Sequence, residues 1–63
     1  MLFFGMNDKS PLERAFELAK SGRVSTIEEI RRSLRREGYS AEQIEGPKLI
    51  RQLRELISVA RRL

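Results

Sequence analysis

Residues 10–22, Ser10-Pro-Leu-Glu-Arg-Ala-Phe-Glu-Leu-Ala-Lys-Ser-Gly22, read as one complete helix with both ends marked. Ser10 offers a side-chain oxygen to the first turn, Pro11 takes the first helical position, where its missing N–H costs nothing, and Glu13 completes a capping box. Leu12, Ala15, Phe16 and Ala19 recur at helical spacing, and Leu18 widens the apolar arc. Gly22 then supplies the left-handed residue that closes the helix near Ser21. This order of cap, apolar stripe and glycine recurs downstream, and the recurrence decides the fold class.

Ser25-Thr26-Ile27-Glu28 forms a second capping box, and Thr26 with Glu29 offers the same pattern one residue later. Ile27, Ile30 and Leu34 mark the buried stripe of a helix within residues 26–37. Gly38 stops it, with Tyr39 placed to contact Leu34 in a Schellman-type ending. Ser40-Ala41-Glu42-Gln43 is a third capping signature, but Gly46-Pro47 follows closely, and proline disfavours the helical region for the residue before it. Residues 41–45 therefore have room for about one turn, with Ile44 directed inward. Pro47 opens a last helix, residues 47–62. Its Leu49, Leu53, Leu56, Ala60 and Leu63 alternate in steps of four and three, broadened by Ile50 and Ile57. Val59 falls outside that stripe, as a satellite contact or as part of a self-association face.

Strand alternation, internal repeats and linkers are missing from the pattern. The expectation is an all-α fold: a compact three-helix domain over residues 10–63, with an additional short helical turn between helices 2 and 3. Residues 1–9 form an apolar N-terminal arm whose Leu2, Phe3 and Phe4 are expected to fold back as a cover on the helices. That run is too short to span a bilayer and has no basic segment before it, so no membrane role is expected.

The 63 residues contain no His, no Cys and no Trp. Histidine moves protons most readily near neutral pH, and cysteine is the most reactive nucleophile and a favoured zinc ligand. Without them, disulfides and most routes to catalysis are closed. Glu28 and Glu29 stand side by side, but adjacent helical positions point about 100° apart. A helix N-terminus also keeps them ionised, which suits capping rather than acid catalysis. Ser10, Ser25 and Ser40 read as caps, and the four glycines are isolated punctuation with no phosphate-cradling loop. A non-enzyme is expected, with no cofactor, no metal and no small-molecule substrate. Zero cysteine fits a reducing cytoplasm. A chain this short buries only about 60% of its unfolded surface, so stability must come from capped helices and an aliphatic core, or from self-association.

Charge is distributed unevenly. The formal net charge is +4, with ten Arg against three Lys. Residues 47–63 carry five bases, Lys48, Arg51, Arg54, Arg61 and Arg62, against Glu55 alone. On helix 2, Arg32, Arg35 and Arg36 lie away from the apolar stripe, Arg31 flanks it, and Glu28 is spaced to pair with Arg32. On the last helix, Arg51 and Arg62 lie opposite the core and Arg54 and Arg61 border it. These nine residues make a candidate nucleic-acid-binding surface, because guanidinium groups attract phosphate backbones through counterion release with little sequence preference. The same arginines, interleaved with Glu28, Glu29 and Glu55, also suit an ordinary solvated surface.

Residues 10–22 followed by Glu29-Ile-Arg-Arg-Ser-Leu-Arg-Arg-Glu-Gly-Tyr39 resemble a group of short uncharacterised bacterial proteins. That resemblance implies a bacterial, cytoplasmic setting and carries no activity. A second resemblance covers about half the chain: Glu28-Glu-Ile-Arg-Arg-Ser-Leu34, Gly38-Tyr-Ser-Ala-Glu-Gln-Ile44 and Leu49-Ile-Arg-Gln-Leu53 are similar in order to the helix–extended-loop–helix class that includes LEM and SAP domains. The chain departs from LEM domains by placing Glu42-Gln43 where they usually have Gly-Pro, and its loop is longer than the SAP pattern. SAP domains bind DNA, and LEM domains bind DNA or a DNA-bridging protein. Two functions follow as expectations: a small basic module binding nucleic acid through its arginines, or a protein-interaction or homodimerisation module using the apolar stripe of the last helix.

Overall fold

A computed structural model describes residues 9–62 and contains three helices: α1 (Pro11–Ser21), α2 (Ile27–Arg36) and α3 (Pro47–Arg62). The fold is all-α, with no strand among the described residues. The expected cover formed by Leu2, Phe3 and Phe4, and the last stripe position, Leu63, lie outside the described residues.

Each helix boundary follows from local chemistry. At the start of α1 the Ser10 hydroxyl accepts the Glu13 N–H at 3.1 Å, while the Glu13 carboxylate accepts the Ser10 N–H at 3.0 Å. Of the two caps readable before α2, the structure uses the later one. Thr26 Oγ1 accepts the Glu29 N–H at 3.1 Å, and Glu29 reaches back past Thr26 to the Ser25 N–H. Helix α2 ends as a Schellman motif: Tyr39 N–H donates to the Leu34 carbonyl at 2.8 Å and Gly38 N–H to the Arg35 carbonyl at 3.1 Å. Gly38 holds φ +93°, a left-handed conformation that costs other residues roughly 1–2 kcal/mol.

The third capping signature does not start an α-helix. Ser40 Oγ accepts the Glu42 N–H at 3.3 Å, and one turn closes with Ile44 N–H donating to the Ala41 carbonyl at 3.1 Å. Glu45 then bonds to Gln43 and Gly46 turns left-handed, φ +100°, to lead into Pro47. The chain has too few residues before that proline to propagate a second helical turn.

The interior is wholly apolar. Ala15, Leu18 and Ala19 of α1, Ile27, Ile30 and Leu34 of α2, and Leu53 and Ile57 of α3 are buried, and no polar or charged side chain among the described residues joins them. Val24, Ala41 and Ile44, from the two connections, complete the core. Ala15 and Ala19 have no side-chain bulk beyond Cβ, which lets α1 lie close to its neighbours; its most extensive pairing is with α3. The C-terminal ends of those two helices come together, since a Cβ on Gly22 would stand 3.9 Å from the Ala60 carbonyl oxygen. Phe16, Tyr39, Leu49, Ile50 and Leu56 seal the margins.

Candidate functional site

Burial of the aliphatic stripes forces the charged side chains outward, where pairing decides which charges stay available to a partner. Arg14, half-buried on α1, makes a bidentate bond to Glu37 just beyond α2, Nε to Oε1 at 2.7 Å and Nη2 to Oε2 at 2.9 Å. Its remaining nitrogen, Nη1, donates to Glu17 at 3.0 Å, and Lys9 holds the other oxygen of Glu17. This chain of four charges ties the start of α1 to the end of α2. The Arg14–Glu37 pair spans 23 residues and has no local signal in the sequence.

Both carboxylates of this network are held below the usual range. Hydrogen bonding from Arg14 is the main cause at Glu37, and at Glu17 it is hydrogen bonding from Lys9, followed by Arg14. Arg14 is in turn pushed further above its already high value, chiefly by Glu37. A lowered carboxylate contributes stability that is present above the unfolded value, near 4.5, and is lost as pH falls through the lower folded value. Stability to urea is therefore expected to decline as the solution is acidified below that range. Glu37→Gln should be less stable than the parent at neutral pH and converge with it in acid, read from urea midpoints across the pH series.

Arg31, one of the nine candidate binding residues, is engaged inside the fold. Its Nη2 and Nε donate to the Ile44 carbonyl at 2.7 and 3.2 Å, and its Nη1 donates to Glu28 at 2.8 Å. Glu28 thus pairs with Arg31 at i,i+3 instead of with Arg32 at i,i+4, because the fork of Arg31 is already anchored beside it and Arg32 points outward. Arg31 staples the 41–45 turn to α2. Arg31→Ala is expected to cost about 1.5–3 kcal/mol, the worth of a hydrogen bond from a charged donor. Lysine should recover only part of this because it lacks the planar fork. Arg32→Ala should stay within about 0.5 kcal/mol in the same urea titration.

The other eight candidates, Arg32, Arg35, Arg36, Lys48, Arg51, Arg54, Arg61 and Arg62, are all exposed. None makes an ion pair among the described residues. The acids have been drawn elsewhere: Glu13 and Glu29 cap helices, and Glu17, Glu28 and Glu37 are ion-paired. On α3, Arg51, Arg54, Arg61 and Arg62 follow one another at helical spacing with Ser58 between, and Arg62 Nη2 donates to Ser58 Oγ at 3.3 Å. At 1.5 Å rise per residue the stripe runs about 16 Å, close to five phosphate steps along one DNA strand at about 3.4 Å each. Glu55 projects from the same outer side. Helix α2 meets this stripe at a cleft lined by Thr26, Glu28, Arg31, Ile50 and Arg54, so the α2 arginine beside Arg54 there is the engaged Arg31, and Arg32, Arg35 and Arg36 are not part of its lining.

A second cleft, between α2 and the 39–45 connection, mixes Arg31, Arg35 and Tyr39 with Glu28, Glu42 and Glu45, three carboxylates against two guanidinium groups, and does not suit an anion. No group of three or more potential metal-ligating side chains occurs among the described residues, and no described helix is long and apolar enough to cross a membrane. No family model, no curated protein and no solved structure matches the chain.

Proposed function

We propose that this protein is a non-enzymatic nucleic-acid-binding module that grips backbone phosphates with the arginines of α3 and the outer face of α2. The observation that carries the reading is the partition of charge. Five carboxylates are spent on caps and ion pairs near α1 and α2, while the bases of α3 stand exposed and without an ion-pair partner among the described residues. An extended line of such groups suits a linear polyanion better than a compact ligand, since each guanidinium can displace a condensed counterion.

Duplex is favoured over single strands. The aromatic side chains of the described residues, Phe16 and Tyr39, are both half-buried against the core and offer no stacking platform. Contacts limited to phosphates position a protein without reading bases, so little sequence preference is expected. The resemblance to SAP domains points the same way, and a bacterial cytoplasm is the setting that accords with it.

The test is fluorescence anisotropy with a short labelled duplex. With about six phosphate contacts, affinity should fall roughly a thousandfold between about 50 and 200 mM salt. Absence of binding at the lower salt concentration would remove the proposal.

A further inference from the structure

A shallow apolar groove runs between α1 and α3, built on Phe16, Leu56 and Val59. Val59 is 51% exposed, and Leu12, one helical turn before Phe16, is 37% exposed; these are the large exposed hydrophobics of the described residues. The groove continues past Leu56 and Val59 to Ala60 and Lys20. Its other end is closed by Gln52 and Glu55. Thus a cation marks one end and an anion the other. Both side chains are exposed, and neither makes an ion pair among the described residues.

We propose that a second copy of this chain seats on the groove, about a two-fold axis passing near Val59. Two-fold pairing apposes the same patch from each protomer, so the patch must complement itself. Opposite charges at the two ends of one groove supply that complementarity. When the axis lies between them, Lys20 of each protomer meets Glu55 of the partner subunit, and Val59 and Leu56 are covered from both sides. A patch of one sign would repel its own copy.

The short groove makes a weak, concentration-dependent dimer, below the size of stable interfaces. Arg54 and Arg61 project from the opposite margin of α3, at about 140–160° from Val59 at 100° per residue. Pairing therefore leaves those two open, while Arg51 and Arg62, at about 60–80° from Val59, flank the seam. Pairing of this kind needs no nucleic acid.

Sedimentation equilibrium of the full chain across a concentration series tests it. The apparent mass should rise from 7.3 kDa toward twice that value. Val59→Asp should hold the chain at the monomer mass. Lys20→Glu or Glu55→Lys should each weaken association on the order of tenfold, since each reversal turns two exposed attractions across the two-fold axis into repulsions. The double variant K20E/E55K should restore it. All of these positions are exposed, and circular dichroism verifies that the variants remain helical. A monomer at every soluble concentration overturns the proposal, as does an additive rather than compensating double variant. Protection of Val59 that persists on dilution, as cover by residues 1–8 of the same chain would produce, also overturns it.

Discussion

Leu34→Ala is expected to leave a large fraction of the chain unfolded at room temperature. Leu34 is fully buried in the middle of the core, among Ile30, Ile44 and Leu53, the other largest buried side chains. Its carbonyl accepts the Tyr39 N–H, so the side chain and the ending of α2 are fixed together. Truncating a buried leucine costs about 2–5 kcal/mol, the lost transfer energy plus a cavity that neighbours only partly fill. At roughly 0.05–0.15 kcal/mol per residue, a chain of this size has about 3–9 kcal/mol in total. The loss is comparable with the whole. Urea unfolding followed by far-ultraviolet circular dichroism should show a lowered or missing folded baseline. Leu12→Ala, at an exposed position, should change stability by less than about 1 kcal/mol. Equal effects at the two positions would contradict the placement of the core.

Charge reversal on α3 should have the largest effect on binding. Replacing Arg51, Arg54 and Arg62 together by Glu removes three cations from the outer stripe without touching the interior, because all three are exposed. Each lost phosphate contact lowers the slope of log affinity against log salt by about 0.9, and three lower it by about 2.7. Extrapolated from molar salt to about 50 mM, that is a loss on the order of a thousandfold or more. Melting temperature should move by only a few degrees, since surface substitutions typically change stability by about 0.5 kcal/mol or less. Anisotropy titrations of parent and triple variant at several salt concentrations read both quantities. An unchanged slope would show that α3 does not contact the phosphates.

The local parts of this fold are legible in the sequence because their causes are local. The Ser10–Glu13 box, the Gly38–Tyr39 ending and the stripe of Ile27, Ile30 and Leu34 each involve residues within one or two helical turns. The choice between Ser25 and Thr26 as cap was open, because both stand three residues before a glutamate; Thr26 won, with Glu29 serving the Ser25 N–H. Val24 and Ala41 are buried although they lie in connections, where periodicity has nothing to say. Contacts at long separation were invisible: Arg14 with Glu37, and Arg31 with the Ile44 carbonyl. They change the candidate site most. Arg31 is an internal staple, and the acids the sequence interleaves with the arginines are partly withdrawn into caps and pairs.

Chemical-shift mapping tests the central claim most directly. A uniformly 15N-labelled chain titrated with an unlabelled short duplex at low salt should shift the amides around Arg51, Arg54, Arg61 and Arg62 of α3 and Arg32, Arg35 and Arg36 of α2. Those around Leu12 and Phe16 should stay in place. Shifts confined to the α1–α3 groove, or none at all, would contradict the assignment of the arginine face as a phosphate-binding surface.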